Sequence, residues 1–394
     1  MSKLVAPLLA MLAGAAAPLA AQLGPAPVAT VPFELHRNKI LIPVEINGTV
    51  VELILDSGSP PLVLTSPDDL DRLGLAEAGR IAVRGAGGGA ALQGRVAVDV
   101  EARIGGAPVA VAQAVALRLA EDFRESAGRS YQGIIGLDLF RQWVTELDFE
   151  ARELRLYDPD RFEYQGSGTS LPLWIEGGHP HARGWITVGD EPAREVELVL
   201  DTGARNAIAI TAEALPNLAF PPDTVRDELG RGAAGVIDGL VGRIREIRLG
   251  QQAIRDVVST FPDPGEGVTP GAQVSIGTEL LRRFRVVFDY PHERVILEPR
   301  PALAQPFVWN PSGLSFRQQG DSLVVGRVRD DSPAAQAGIE VGDVLVAVGS
   351  EPAGRLGLAG AEERLAGEPG RRVMLLTRRQ GVTIERVVVL DRAV

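Results

Sequence analysis

The chain has 394 residues, with 51 acidic against 40 basic side chains and a formal net charge of −11. Apolar residues make up 45% of it, enough for packed cores, so wholesale disorder is excluded. The length suggests two to four domains at ~100–200 residues each. The acidic balance argues against a nucleic-acid partner, whose footprint is a basic face. No cysteine is present, which excludes thiol nucleophiles, disulfides and thiolate metal sites. With only four histidines, no metal and no cofactor is expected. Lys3 and Lys39 are the only lysines, and with the abundant Ala and Gly the Arg bias reads as that of a GC-rich, bacterial genome.

Residues 1–21 have a charged start, an apolar run from Leu4 to Leu19 broken by Pro7 and Pro18, and a small-residue exit at Ala20-Ala21. This pattern reads as a cleavable signal peptide and implies a periplasmic or secreted protein, with an uncleaved membrane anchor as the alternative.

The next feature is a repeat. Glu52-Leu-Ile-Leu-Asp56-Ser57-Gly58-Ser59 matches Glu197-Leu-Val-Leu-Asp201-Thr202-Gly203-Ala204. Counting from the two aspartates extends the match. His36 and His181 each lie 20 residues before, and Ile104-Gly105 and Leu249-Gly250 each begin 48 after. Arg84-Gly85-Ala-Gly87 parallels Arg231-Gly232-Ala-Ala, and Ile134-Ile135-Gly136 parallels Ser275-Ile276-Gly277. Two units of ~130 residues in near register indicate a duplicated domain.

In chain order, Lys39 to Ile46 and Thr49 to Leu55 are Val/Ile/Leu-rich and flank Asn47-Gly48, a type I′ hairpin signal. Leu62-Val-Leu64 and Ile208-Ala-Ile210 read as short buried strands, and Ser66-Pro67-Asp68-Asp69 starts a short helix that Gly74 closes. The glycine-rich stretch Gly85 to Gly89 precedes Arg95 to Val100, which alternates like a strand. That argues against a nucleotide loop, which requires a following helix, and for a hairpin made mobile by glycine. Leu137 to Trp143 and Thr278 to Phe284 read as short helices. Gly166 to Ser170 is a joint between units and Pro299 to Pro306 a second linker. His36 and His181 fall near the strand before the hairpin as turn or surface residues, and His179-Pro-His181 lacks a carboxylate at the spacing a metal site needs.

Each unit thus delivers one aspartate at the end of an apolar strand, in a tight Ser/Thr-Gly turn. Two carboxyls about 3 Å apart cannot both ionise and hold one proton between them. The charged member can take a proton from a bridging water while the neutral one hydrogen-bonds a substrate carbonyl, which is general acid–base hydrolysis of a peptide bond. Ser57 and Thr202 supply hydroxyls to tie the turns together, and Gly58 and Gly203 permit close backbone approach.

On these motifs the sequence resembles the retropepsin-like aspartic peptidases over residues 31 to 300. The resemblance implies a mainly β, bilobal unit of two tandem β-barrel lobes, 31–165 and 170–300, with Asp56 and Asp201 as the catalytic pair where the lobes meet. Ser57, Gly58, Thr202 and Gly203 would support the pair, and Gly85, Gly87, Gly232 and Gly235 would lie in flaps over the cleft. Both lobes sit on one chain, so a monomer with an intramolecular pseudo-dimer site suffices.

Residues 309–394 change character. Gly313-Leu314-Ser315-Phe316, the capped segment Asp331-Ser-Pro-Ala-Ala-Gln-Ala-Gly338 and Val341-Gly-Asp-Val-Leu345 resemble a PDZ domain. The resemblance implies that the amides of Leu314, Ser315 and Phe316 hold the C-terminal carboxylate of a peptide that adds as a strand. The expected protein is therefore an exported aspartic endopeptidase acting on protein or peptide substrates. The PDZ domain would recruit those substrates, and a flexible tether would raise their concentration at the cleft. The alternative is a non-catalytic envelope peptide-binding or scaffold protein that uses the interlobe cleft and the PDZ domain.

Overall fold

A computed structural model describes residues 26–394 apart from 60–61, 84, 121–122, 124–128, 212–214, 216–217, 267–271 and 393. The expected leader at 1–21 and Arg84 lie outside the described residues. Strand alternation dictates the architecture. Lys39–Ile46 and Thr49–Leu55 bury every second side chain or more, and Asn47 and Gly48 take positive φ (47° and 78°) to turn between them. The register Leu41↔Ile54 to Ile46↔Thr49 follows from that two-residue turn.

The same crossed arrangement is built twice. In the first unit Thr49–Leu55 runs parallel to Gly133–Ile135, which is antiparallel to Leu62–Leu64. In the second, Arg194–Asp201 runs parallel to Val274–Gly277, which is antiparallel to Ile208–Ile210. The second sheet closes on itself where His179–Thr187 pairs with both Arg194–Asp201 and Gly235–Leu249. Short helices Leu137–Phe140 and Thr278–Leu281 follow the central strands.

A six-stranded sheet joins the lobes from beneath. Its order is Ala29–Pro32, Glu153–Tyr157, Val144–Asp148, Phe284–Asp289, Arg294–Pro299, Thr169–Pro172, and Glu146↔Val287 crosses between units. Thr169 and Ser170, expected in a joint, are strand residues here. Phe140 of the first unit packs edge-on to Phe288 at 5.0 Å and stacks with Tyr290 at 5.4 Å, so one apolar core runs through both lobes.

Residues 314–389 form a separate sheet with its own core, in the order Leu314–Gln319, Ser322–Val328, Val344–Val348, Arg372–Arg379, Val382–Val389. Ser332 caps helix Pro333–Gln336 by accepting the Ala335 N–H. Helix Ala353–Leu365 packs against Leu314–Gln319, whose other edge pairs with no strand among the described residues.

This last domain is docked, not freely tethered. The Asp227 carboxylate, 2% exposed, accepts from Trp309 Nε1 (3.0 Å) and Arg329 Nη1 (3.3 Å). Arg327 bridges to Asp238 at 3.0 Å. Arg37 of the first lobe grips Glu362 with two hydrogen bonds of 2.6 and 2.5 Å. The expected linker is pinned as well: the Arg283 guanidinium lies 3.5 Å over the Phe307 ring and donates to the Gln305 carbonyl. The domain is therefore held against the lobes by buried and interfacial polar contacts.

Candidate active site

Each catalytic-type turn begins where a buried strand ends. The Asp56 N–H donates to the Ile135 carbonyl (2.9 Å), and Ser59 N–H closes the turn on the Asp56 carbonyl (3.0 Å). The apolar-Gly elements sit directly behind. A Cβ on Gly136 would lie 2.0 Å from the Asp56 carbonyl oxygen, and one on Gly277 would lie 2.3 Å from that of Asn206, so backbone contacts these close require glycine. Ser275, which stands where the first unit has Ile134, is buried with no partner for its hydroxyl among the described residues.

The two turns interlock. Ser57 Oγ donates to the Leu200 carbonyl (2.7 Å) and accepts from the Thr202 N–H (3.0 Å). Thr202 Oγ1 donates to the Leu55 carbonyl (2.9 Å) and accepts from the Ser57 N–H (2.9 Å). Both residues are wholly buried, so four hydrogen bonds shielded from water hold the turns in one relative position. That lock brings Asp56 and Asp201 together. A Cβ on Gly203 would stand 2.2 Å from Asp56 Cγ, and one on Gly58 would stand 3.2 Å from Asp201 Cγ. Gly58 N–H donates to Asp56 Oδ1 and Gly203 N–H to Asp201 Oδ1, each at 2.8 Å.

Burial, followed by the charge of Asp201, pushes the Asp56 carboxyl up to about 7; Lys39 and the Gly58 N–H pull the other way. A side-chain hydrogen bond with Asp201 adds to the rise. Asp56 is thus held towards its neutral form beside a second carboxyl, the arrangement that acid–base work by two carboxyls requires.

The two hairpins expected as flaps touch each other. Hairpins Glu77–Val83/Leu92–Ala97 and Val225–Gly232/Gly235–Leu249 arch over the pair, one from each lobe. Their tips meet where Ala234 N–H donates to the Ala86 carbonyl (2.9 Å). A Cβ would fall 2.4 Å from the Gly235 oxygen at Gly87, 2.7 Å from Ala233 Cβ at Gly85 and 2.2 Å from the Ala86 oxygen at Gly232. Gly87 and Gly235 have φ of 105° and 149°. Glycine here permits the close approach of one hairpin tip to the other.

Beneath the flaps, one cavity of about 1690 Å³ runs from Asp56 and Asp201 to Ser315, Phe316, Leu358 and Glu362 of the C-terminal domain. Of the three residues expected to hold a carboxylate, Leu314 already donates its N–H to Ser312 Oγ (3.2 Å), while Ser315 and Phe316 enter the edge strand.

The histidine match by offset does not survive the register. Lys39 stands across a two-residue turn from His36, and His179 across one from Glu176. The structural counterpart of His36 is therefore Glu176, and that of Lys39 is His179, because the second hairpin carries a longer loop between its strands. His181 is not a surface residue: it is buried, stacks on Trp174 (5.7 Å) and bonds Glu197 through Nδ1 (2.7 Å).

Residues 42–139 and 186–280 match the aspartyl protease family, and residues 324–379 match the PDZ domain. No curated protein matches the chain. The chain is two aspartyl protease lobes in tandem, followed by a PDZ domain.

Three parts of the site escape sequence reading. Lys39 and His179 flank the pair, and Asp227 anchors the PDZ domain. Lys39 had a compositional signal, as the lone lysine among the described residues of an otherwise Arg-based chain. Asp227 had none.

Proposed function

We propose that this protein is an exported aspartic endopeptidase that hydrolyses peptide bonds with Asp56, Asp201 and a bridging water. The observation that carries the reading is the interlocked pair of Asp-Ser-Gly and Asp-Thr-Gly turns with one carboxyl held up to about 7 beside its partner. The charged carboxylate takes a proton from the water, whose oxygen attacks the scissile carbonyl carbon. The neutral carboxyl donates its proton to the carbonyl oxygen, and the amine leaves after protonation by the pair. No covalent enzyme intermediate is required. The backbone lock keeps both carboxyls placed before substrate arrives, so little reorganisation is left to the reaction.

The PDZ domain takes the C-terminal segment of a peptide along Leu314–Gln319, an edge that offers unpaired backbone groups. Support comes from the cavity that this edge shares with the two aspartates. Both lobes lie on one chain, so a monomer suffices, and the charge of −11 favours peptide over nucleic-acid partners. The apolar start of the chain supports export, and N-terminal sequencing of the protein from fractionated cells tests it.

The test of activity is a mixed peptide library offered from about pH 3 to 8 to the wild type, Asp56→Asn and Asp201→Asn. Cleavage by the wild type alone, falling off as the pair loses its shared proton, is the expected result. Peptide retention without cleavage at any pH would replace this reading with a non-catalytic envelope binding protein. Repeating the assay with amidated C-termini separates PDZ recruitment from cleft binding: amidation is expected to raise KM and leave the cut site unchanged.

A further inference from the structure

Two basic side chains occupy equivalent positions in the two lobes, and Lys39 reaches across the lobe boundary. In the first hairpin the paired register ends at Leu41↔Ile54, and two steps beyond it on each strand come Lys39 and Asp56. In the second, His181 pairs with Val199, and the same two steps bring His179 to Asp201. Lys39 Nζ donates to the carbonyl of Gly203, which follows Asp201 by two residues. His179 lines the same cavity as Gly58 and Asp201, with its Nδ1 buried and without a partner among the described residues. Each basic group thus lies at the pair, and Lys39 bonds the turn of the other lobe.

The two positions are not chemically equivalent. The imidazole is pushed towards its neutral form by burial, with the charge of Asp201 opposing this. Lysine is a compact cation with three donors that can serve a carbonyl and a carboxyl pair at once. Burial acts most strongly on Lys39 and pushes it towards the neutral amine; both aspartates favour its charge, and Arg205 and Arg37 oppose it. Arg37 also grips Glu362, and Asn38, between Arg37 and Lys39, donates to the Arg205 carbonyl (3.0 Å) and to Glu279 (2.9 Å). The turn carrying Lys39 is therefore fixed by the second lobe and by the PDZ helix. Tyr290 lies within the field of both aspartates, buried and without a partner for its hydroxyl among the described residues.

Resting on the peptidase reading above, we propose that Lys39 is a positioning residue of the dyad: its ammonium holds the Gly203 turn and neutralises the single negative charge of the Asp56–Asp201 pair. With one proton shared between the carboxyls, pair and lysine together are neutral. A neutral assembly can be buried beneath closed flaps at far smaller desolvation cost than an isolated anion. Lys39 also favours release of the shared proton. It therefore sets the upper pH limit of the active state, and its loss moves that limit to higher pH.

The test compares kcat/KM against pH for the wild type, Lys39→Met and Lys39→Arg, with thermal melts as a check on folding. The alkaline limb of Lys39→Met is expected to move up by about 1–3 pH units, the range for losing an opposite charge at such a site, while Lys39→Arg stays near the wild type. A lower rate with unmoved limbs would reduce Lys39 to a structural brace and overturn the proposal.

A second readout needs no turnover. In protein labelled with [13C]lysine, Lys39 gives a resonance assigned by its loss in Lys39→Arg. It is expected to titrate below the ordinary lysine value, and lower still in Asp56→Asn, where one supporting carboxylate is gone. A titration unchanged by Asp56→Asn would overturn the coupling. If the wild type cleaves nothing, the peptidase reading fails, and the resonance alone decides whether Lys39 balances the charge of the pair.

Discussion

Replacing Asp56 by Asn should make the folded protein less sensitive to rising pH, and the size of the effect follows from the site. Burial and the neighbouring Asp201 raise the Asp56 carboxyl from 3.8 to about 7. A carboxyl raised on folding contributes stability that is fully present below its unfolded value and is lost as the pH rises through its folded value. The window therefore runs from about pH 4 to about pH 7. At ~1.4 kcal/mol per pH unit, the wild type should lose about 4 kcal/mol across it through this group. Asparagine is nearly isosteric, keeps an oxygen to accept the Gly58 N–H, and does not ionise. The variant deprives buried Lys39 of one carboxylate neighbour, which subtracts from its advantage. The net gain of Asp56→Asn over the wild type between pH 4 and pH 8 should then be a few kcal/mol. In a unit of this size that is an upward shift of roughly 5–10 °C in the melting of the lobes at pH 8 and little at pH 4. Calorimetry of both proteins at pH 4, 6 and 8 measures it. Parallel pH dependence in the two proteins would refute the argument that the folded site holds Asp56 neutral.

Three further outcomes are expected. Ser57→Ala removes one donor and one acceptor from the interlock and leaves the Leu200 carbonyl and Thr202 N–H without their partner; urea unfolding should show a loss of about 2–4 kcal/mol, whereas a loss under about 0.5 would show that water takes over these groups. Gly203→Ala puts a methyl 2.2 Å from Asp56 Cγ, so it should lower cleavage at least ~100-fold with a modest fall in melting temperature, and an active variant would mean that the carboxyls have room to separate. Asp227→Ala leaves Arg329 buried and Trp309 without an acceptor, at about 3–5 kcal/mol; limited proteolysis should then cut the 305–311 segment in the variant faster than in the wild type, and equal rates would mean that the remaining contacts, Arg37–Glu362 and Arg327–Asp238 among them, suffice to hold the domain.

The sequence by itself determined the duplication, the two Asp-containing turns and most strands around them, because these depend on alternation, turn chemistry and short-range repetition. Lys39–Ile46, Thr49–Leu55, Leu62–Leu64 and Ile208–Ile210 are legible from residue type alone. The glycines at 136 and 277 could be read as a repeat, and their close backbone contacts supply the reason for it. The joining sheet could not be read, since Glu146↔Val287 pairs residues far apart in sequence with no local signature of their partnership. Nor could the seat of the PDZ domain, whose buried anchor Asp227 is indistinguishable in the chain from any surface aspartate. Counting residues back from the aspartates paired His36 with His181. Hydrogen-bond register instead pairs Lys39 with His179, because strand pairing is set by where turns close and not by distance along the chain. Tertiary structure alone decided that a lysine would stand beside the two carboxyls, where burial and charge give each group properties its residue type does not have.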